Sequence, residues 1–409
     1  MRWAEGIDKL GIALYILLCV FAIVNIYSVK AELGEKQLIF FGISCFVGMI
    51  IFFMRTKFFE NMSAIIYVGG VLLLVGLFPF GTEILGQKNW YKFGGFTMQP
   101  VEFAKIGTAL MLANYVSNPD FNLNNRKVLY TSLAIVAIPG IVVLMIPDVG
   151  SLLVFFAFLM ALYREGLSGW LFGVIFIFAA VFLVSIAVNP LYVVIAILVI
   201  AAIFVFLNFY TIQGNVMYII AIVLTVGLLS ALSYGSPYIL TKLPKHQRER
   251  IEVLYKGEKA FRDTSGYNLL YSKTAIGSGG LVGKGYKQGS VTQGKFVPEQ
   301  ETDYIFCTVG EEWGFIGSTV LILCYAIFIG RIYYLAENQK ATFNRVFGYC
   351  FASILLIHFA VNLGMVMGLF PTVGIPLPFF SYGGSSLLAF SIMTFIFFKL
   401  NYADKNSLV

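Results

Sequence analysis

Long apolar runs separated by short polar turns dominate the chain. A transmembrane helix needs about 20 apolar residues, and runs of this kind recur along almost the whole sequence. They predict an all-α polytopic membrane protein of about 10–12 transmembrane helices. The runs lie at about 10–29, 37–54, 62–80, 100–117, 129–146, 150–163, 169–188, 191–209, 216–234, 314–336, 345–369 and 379–399. The stretch from 169 to 234 is weakly punctuated and could hold fewer crossings, provided that their number stays odd.

One segment, residues 235–312, breaks this pattern with many charges and glycines. Its polar turns alternate with short apolar pieces such as Ile251–Tyr255 and Tyr267–Leu270. This alternation predicts a large loop of short amphipathic elements lying on the membrane, and not a folded soluble domain. We expect this loop to belong to a single membrane domain that covers residues 1–409.

Composition narrows the functional classes. The chain is 59% hydrophobic and 12% charged, whereas soluble domains carry about 25% charged residues. The net charge of +7 is scattered over short loops, so we expect contact with membrane lipids and no nucleic-acid partner. All five cysteines lie in or beside apolar runs without metal-ligand spacing, and two histidines are too few for a zinc site.

The basic residues of the short loops predict the orientation. With the N-terminus inside, most of them fall on the cytoplasmic side, as the positive-inside rule requires. Both termini are then cytoplasmic, and the 235–312 segment is extracytoplasmic. That segment is basic, but the rule discounts loops of this length.

Carboxylates cluster where the loop meets the next apolar run. Asp303 directly precedes Tyr304-Ile305-Phe306, so it lies at the membrane surface, where it could act as a general base. Capping of the following helix by Asp303 or Thr302 is the alternative. Glu299 is a weaker candidate, and Glu301 is expected to be a solvated rim charge. The pair at 311–312 could cap or start the span near 314.

Two charges stand inside an apolar run. Glu102 and Lys105 are three residues apart, so they share one helix face and can pair. An internal salt bridge and a substrate contact are both consistent with this spacing. Trp90 fits an interfacial aromatic belt or a cavity lining, and Asp148 is expected to be structural.

The C-terminal third carries a polar interruption, Ser381-Tyr382-Gly383-Gly384-Ser385-Ser386. Irregular backbone at membrane depth must be buried in protein or line a cavity, and small-residue helix contact is the alternative. His358 and Asn362 lie one turn apart in the preceding run. For each of them we expect an inter-helix hydrogen bond in preference to catalysis.

Taken together, the motifs resemble those of the SEDS family (shape, elongation, division and sporulation). They run in family order over roughly 300 residues, and their joint occurrence is far more specific than any one of them. The matching segments are Trp90 with Gln99–Glu102 and Lys105, Pro147–Ser151, His246–Ile251, Ala275–Leu281, Pro298–Glu299 with Thr302–Asp303, and Gly374–Pro378 with Ser381–Ser386. Gly364–Gly368 and Ile375–Phe379 resemble the RodA-type branch, which acts in elongation, more than the FtsW-type division branch.

The resemblance implies a peptidoglycan glycosyltransferase that polymerises lipid II on the outer face of the cytoplasmic membrane. It implies Asp303 as the catalytic base, inversion at the anomeric carbon and undecaprenyl pyrophosphate as the leaving group. The implied substrate-binding residues, chosen from the motifs and from nearby charges, are Trp90, Glu102, Lys105, Arg250, Lys284, Glu299 and Ser385.

Several alternatives remain open within this interpretation. Arg248, Arg250, Lys273, Lys284 and Lys295 are candidate pyrophosphate clamps or ordinary interfacial charges. The glycines at 277–285 could expose backbone N–H groups to an anion, or form a flexible loop. No residue is predicted to bind a metal, although a divalent cation could bridge the pyrophosphate.

The resemblance also implies a partner, a class B penicillin-binding protein, which is a single-span transpeptidase. Most family members have ten spans, so the long stretch 166–244 could hold an additional helical hairpin. Two other functions compete with the enzyme. One is a flippase for a lipid-linked precursor, and the other is a non-catalytic scaffold of the cell-wall elongation complex.

Overall fold

Helices account for nearly all of the architecture in the computed structural model, which describes residues 6–84, 87–94 and 96–406. The first eight helices are α1 (Lys9–Val29), α2 (Ala31–Phe53), α3 (Thr56–Val75), α4 (Leu77–Phe80), α5 (Pro100–Val116), α6 (Arg126–Met145), α7 (Val149–Phe155) and α8 (Ala157–Arg164). Next come α9 (Trp170–Ala187), α10 (Pro190–Leu207), α11 (Phe209–Ile212), α12 (Val216–Lys242), α13 (Lys245–Lys256) and a 3₁₀ turn at Glu258–Phe261. The last five are α14 (Tyr267–Ser278), α15 (Ser290–Gln293), α16 (Ile305–Glu337), α17 (Thr342–Val366) and α18 (Gly384–Asn406).

Within the described residues, ten helices are long and apolar enough to cross a membrane. The predicted spans at 100–117 and 150–163 are also helical, but α5 has only 17 residues and the second is divided at Phe156 into α7 and α8. The all-α polytopic class, with about 10–12 membrane helices, is therefore confirmed.

Two helix boundaries differ from the expected ones. Helix α16 begins at Ile305, earlier than the expected start near 314, and it is interrupted at Gly314, so the buried Glu311 and Glu312 lie at the end of its first segment. Helix α18 begins at Gly384 and not near 379, since the preceding residues form an irregular connection. Helix α12 continues to Lys242, so the non-helical part of the predicted loop is shorter than residues 235–312.

The chain divides into two compact units, and the boundaries fall after Leu167 and after Gly266. The first unit contains α1–α8 and α14–α18, with α17 packed against α5, α8, α16 and α18. Helix α17 is the most deeply buried of the ten apolar helices, which makes it the centre of this unit. The prediction of one continuous domain over 1–409 stays a prediction.

The second unit, residues 168–266, contains α9–α13. Helices α10 and α12 pack through a small cluster of Val193, Ile197 and Leu229, against which Phe178 and Val181 of α9 are partly buried. The Ser185 hydroxyl donates to that of Ser233 at 2.8 Å, which joins α9 to α12. Most other side chains on these helices are exposed and apolar, as expected for surfaces in contact with lipid.

A small antiparallel sheet precedes α5. Strand β2 (Gln87–Phe93) pairs with β1 (Thr82–Ile84) on one side and with β3 (Phe96–Met98) on the other. Strand β3 leads through Gln99 into α5, where Pro100 opens the first turn, a position that tolerates proline because its N–H is not needed there. The hairpin therefore fixes where Glu102 and Lys105 begin their helix.

Close contact between α3 and α5 depends on two glycines. A Cβ added at Gly107 would lie 2.8 Å from the Ile66 carbonyl oxygen, and one at Gly70 would lie 3.0 Å from the Ala104 Cα. These are backbone atoms that cannot rotate away, so the glycines set the distance between the two helices.

We expect Gly107→Ala to lower stability by about 1–3 kcal/mol, the usual cost of overpacking. The matched control is Gly69→Ala, because Gly69 lies on α3 beside Gly70 but a Cβ there has no atom within 4 Å. The measurement is thermal unfolding of the purified protein in detergent. Equal melting temperatures for the two variants would show that the α3–α5 contact tolerates a methyl group.

Candidate active site

Asp303 lies two residues before α16 and is half-buried. The residue in the N-cap position is Tyr304, so neither Thr302 nor Asp303 has the capping position expected in the alternative interpretation. Tyr304 is itself fixed, since its hydroxyl group lies 2.8 Å from that of Thr372. The Asp303 side chain therefore projects from the last turn of a loop that is anchored to its surroundings.

The connection between α17 and α18, residues 367–383, lies against Asp303. Gly374 has a φ of +73°, and a Cβ built on it would lie 3.2 Å from Asp303 Oδ2. The Asn362 amide donates to the carbonyl oxygens of Asp303 at 2.9 Å and Ile375 at 2.7 Å. Two sequence motifs that are far apart in the chain thus meet at one carboxyl group.

Glu299 belongs to the same loop as Asp303. Its backbone has a φ of +57°, in the left-handed region, and its carbonyl oxygen accepts the N–H groups of Thr302 and Tyr304, each at 3.2 Å. The Thr302 hydroxyl donates to the Glu299 carboxylate at 3.1 Å. Glu299 therefore closes the turn that carries Asp303.

Lys284 binds a buried carboxylate. Its ammonium group lies 2.7 Å from Glu311 Oε1 and 2.8 Å from the Ser290 hydroxyl. Glu311 is fully buried, and the N–H groups of Val291 and Thr292 donate to it at 2.9 and 2.8 Å. An ammonium group has three donors, so Lys284 keeps one N–H for a ligand, at its partly exposed edge.

Three backbone N–H groups of the glycine-rich segment, at residues 283–285, already have partners within the protein and cannot bind an anion. Gly283 donates to the carbonyl of Gly279 at 2.9 Å, while Lys284 and Gly285 donate to those of Glu311 and Glu312 at 3.0 Å. The segment packs directly on α16, since a Cβ on Gly283 would lie 2.1 Å from the Glu312 carbonyl oxygen. The anion-cradle interpretation is therefore wrong for these three amides, and the flexible-loop interpretation stays a prediction.

Glu102 and Lys105 form a salt bridge of 2.8 Å with both side chains buried. Lys105 Nζ also lies 2.8 Å from His358 Nε2, and His358 Nδ1 lies 3.0 Å from the Pro376 carbonyl oxygen. A carbonyl can only accept, so Nδ1 carries the proton and Nε2 accepts from the ammonium group. A buried polar chain thus runs from α5 through α17 to the connection that contacts Asp303.

Three other residues singled out in the sequence have structural contacts. The buried Ser385 hydroxyl accepts the N–H of Gln99 at 3.3 Å, which joins the start of α18 to the start of α5. Trp90 is half-buried on β2, opposite Thr82. Asp148 caps α7, since its carboxylate accepts the N–H of Ser151 at 2.9 Å.

Arg250 belongs to the second unit, on α13. Its neighbour Arg248 pairs with Glu252 at 3.9 Å on the same helix. Burial raises the pKa of Glu249, but hydrogen bonds from Thr264 and Ser265 outweigh this and hold the pKa below its usual value. Contact between Arg250 and substrate stays a prediction.

Sequence reasoning overlooked Gln37 on α2. It is fully buried, donates to the Ser381 carbonyl oxygen and accepts the N–H of Gly383, both at 3.3 Å. A glutamine in an apolar run is itself a signal of a functional or bracing contact. In the described parts of the chain, no group of three or more His, Cys, Asp or Glu side chains could hold a metal ion.

Comparison with known proteins decides the family. The family model of FtsW, RodA and SpoVE, described as a cell cycle protein, matches residues 7–208 and 177–406. The chain belongs to this family. The resemblance drawn from the motifs is therefore confirmed.

The family's curated members match over most of their length. The peptidoglycan glycosyltransferase MrdB of Escherichia coli (strain K12) is 29% identical over 386 residues, which cover 93% of this chain and 90% of MrdB. The peptidoglycan glycosyltransferase RodA of Treponema pallidum is 28% identical over 366 residues, covering 84% of this chain and 83% of RodA. The stage V sporulation protein E of Bacillus subtilis is 25% identical and covers 93% of both chains.

Solved structures share the fold. A chain from a study of polymerization and crosslinking by a peptidoglycan synthase complex superposes with a TM-score of 0.67 at 23% identity, over 98% of both chains. The rod shape determining protein RodA of Thermus thermophilus superposes with a TM-score of 0.60 at 21% identity, over 97% of both chains. The chain is a multi-pass membrane protein of the same architecture.

We expect Lys105→Met to cost about 3–5 kcal/mol of stability, because it leaves the Glu102 carboxylate buried without its partner. The double variant Glu102→Gln/Lys105→Met removes both charges and should be closer to the wild type in detergent melting temperature. If it recovers stability and polymerising activity together, the pair is an internal brace. Recovery of stability alone would indicate a substrate contact, and additive losses would contradict the pairing.

We expect Gly374→Ala to reduce activity, because the added methyl group crowds the Asp303 carboxylate and the backbone is left-handed there. Gly166→Ala is the control, since Gly166 has a φ of +109° but a Cβ there has no atom within 4 Å. Each variant should lose about 1–2 kcal/mol of stability from the backbone strain. Only Gly374→Ala should lose turnover in a polymerisation assay, and equal activities would refute crowding at Asp303.

Proposed function

We propose that this protein is a peptidoglycan glycosyltransferase that polymerises lipid II into glycan strands during cell elongation and so contributes to rod shape. Family membership and relatives named as peptidoglycan glycosyltransferases support this. The observation that carries the proposal is the meeting of two motifs at Asp303. The Pro298–Asp303 loop and the Gly374–Pro378 segment place a half-buried carboxyl group between them.

Asp303 acts as the general base in the proposed reaction. Its carboxylate takes the proton from a sugar hydroxyl of one lipid-linked substrate, and that oxygen forms a bond to the anomeric carbon of the other. The bond from this carbon to the pyrophosphate oxygen breaks, and the electron pair leaves with undecaprenyl pyrophosphate. A direct displacement inverts the anomeric centre without a nucleophilic carboxylate, and the pyrophosphate leaving group makes the general acid of an inverting glycosidase less necessary.

Cationic side chains stabilise the developing pyrophosphate charge. Lys284 offers one N–H beyond its bonds to Glu311 and Ser290, and Arg250 is the second candidate. Trp90, Glu102, Lys105, Glu299 and Ser385 are assigned to the substrate cavity or its support. The described residues contain no group of three or more His, Cys, Asp or Glu side chains that could hold a metal ion, and a divalent cation bridging the pyrophosphate would need only one or two protein carboxylates.

We also propose where the protein lies and how it is oriented in the membrane. The protein lies in the cytoplasmic membrane with both termini in the cytoplasm, and the loop that carries Lys284 and Asp303 is extracytoplasmic. The distribution of Lys and Arg over the short loops supports this orientation. The glycan strands then form on the side of the membrane where the cell wall lies.

A class B penicillin-binding protein with a single span is the proposed partner. This chain has no Ser-x-x-Lys motif for transpeptidation, so cross-linking requires a second protein. One structural neighbour comes from a peptidoglycan synthase complex that combines polymerization and crosslinking, which supports such an assembly.

We further propose that residues 166–244 contain a helical hairpin additional to the ten spans typical of the family. The two family-model matches overlap over residues 177–208, in α9 and α10. This overlap supports the proposal, because an inserted pair of helices would align with both flanking parts of the family model.

The flippase alternative is weaker. A flippase needs charges along a path through the membrane, whereas Glu102, Lys105 and His358 are buried and bind one another. A scaffold function would require that Asp303 is dispensable.

We expect wild-type protein with its partner transpeptidase to polymerise lipid II in detergent, and Asp303→Asn to be slower by about 10²–10⁴-fold, because the amide cannot accept the proton. The control is Glu301→Gln, the same carboxylate-to-amide change two residues away on the same loop, which should keep activity. The measurement is the length and amount of glycan on a gel.

Three outcomes would contradict the proposal in different ways. Equal polymer from Asp303→Asn and the wild type would reject Asp303 as the base and make Glu299 the next candidate. Loss of activity in Glu301→Gln as well would indicate a general sensitivity of the loop. No polymer from the wild type, with or without the partner, would favour the flippase and scaffold alternatives.

A further inference from the structure

Three consecutive backbone carbonyl groups lead up to the Asp303 side chain, and each accepts a hydrogen bond from outside its own loop. The Glu301 carbonyl accepts the N–H of Tyr382 at 2.8 Å. The Thr302 carbonyl accepts the Ser381 hydroxyl at 2.6 Å, and the Asp303 carbonyl accepts the Asn362 amide at 2.9 Å. The backbone that carries the carboxyl group is thus held at every residue of its last turn.

Two of these donors are side chains, and both are oriented by a second bond. The Ser381 oxygen accepts the N–H of Leu377 at 2.8 Å, which directs its own proton to Thr302. Asn362 donates its other N–H to the Ile375 carbonyl at 2.7 Å. Both side chains are buried, so their hydrogen bonds do not compete with water.

The two donor side chains, Asn362 and Ser381, belong to segments that are themselves held by further contacts. Asn362 projects from α17, the most deeply buried of the apolar helices, one turn from His358, which binds the Pro376 carbonyl. Ser381 belongs to the irregular segment that Gln37 binds from α2. The backbone of Asp303 is therefore held by contacts that lead to α17 and α2, and not only by its own loop.

We infer that Asn362 and Ser381 are positioning residues that set the Asp303 carboxylate for proton abstraction, an inference that rests on the proposed function. Neither side chain needs to touch substrate. Asn362 binds the carbonyl oxygen of Asp303 itself, and Ser381 binds the carbonyl oxygen of Thr302, the residue before it. Displacing a reacting group by about 1 Å can cost about 100-fold in rate.

The test uses full-length protein with its partner transpeptidase and lipid II. Asn362→Asp keeps the shape of the side chain but has no N–H to donate, and Ser381→Ala removes only the hydroxyl. We expect kcat to fall by up to about 100-fold in each, while KM and lipid II binding stay as in the wild type. Ser381→Thr keeps the hydroxyl and should retain most of kcat.

Matched controls remove buried polar groups elsewhere, one on α17, the helix of Asn362, and one on α18, the helix that follows Ser381. Asn344 on α17 donates to the Leu400 carbonyl at 3.5 Å, and Ser391 on α18 lies 2.8 Å from the Tyr15 hydroxyl. Asn344→Asp and Ser391→Ala should leave kcat unchanged. Melting temperatures of all variants in detergent show how much stability each change costs.

The outcomes separate this inference from the proposed function. A fall of kcat confined to the Asn362 and Ser381 variants, with KM preserved, supports positioning. Equal losses in the controls, losses that follow melting temperature, or a rise in KM alone would overturn it while the glycosyltransferase assignment stands. If Asp303→Asn is as active as the wild type in the same assay, the proposed base fails and the positioning inference fails with it.

Discussion

Inside an apolar bundle, every backbone polar group must find its hydrogen-bond partner within the protein, and this constraint shapes the region around Asp303. The connection between α17 and α18 is irregular over residues 367–383. Its carbonyl and N–H groups are bound by His358, Asn362, Ser381 and Gln37. Because these side chains satisfy the connection, it can run beside the Asp303 loop without being helical.

Buried charged side chains, like buried backbone groups, must find their partners within the protein. A buried carboxylate is costly unless it is paired and hydrogen-bonded, and Glu311 meets both conditions through Lys284 and two backbone N–H groups. Glu102 is paired with Lys105, which in turn binds His358. The Lys284–Glu311 pair joins the glycine-rich segment to α16, and the contact of Lys105 with His358 joins α5 to α17.

The class of the fold and the positions of the apolar helices could be predicted because hydropathy alone determines them. The partners of Asp303 could not, since Asn362 and Ser381 are distant in sequence from the loop that they bind and no periodicity relates them. The helical segment Ile305–Trp313, which precedes the predicted start near 314, could not be predicted, because hydropathy does not show that the charges of Glu311 and Glu312 are buried and paired. The family resemblance predicted the candidate site residues, and the structure shows which hydrogen bonds and ion pairs hold them.

Helix α16 is interrupted at Gly314, whose φ of +65° and ψ of −160° are not helical. The N–H groups of Phe315 and Ile316 donate to the carbonyls of Gly280 and Leu281, so the glycine-rich segment caps the second half of the helix. The nine residues from Ile305 to Trp313 therefore form a short rod of their own, tied to the loop instead of to the long helix below it. Because the helical backbone is broken at Gly314, the direction of this rod is set by its contacts with the glycine-rich segment and not by the axis of the longer helix.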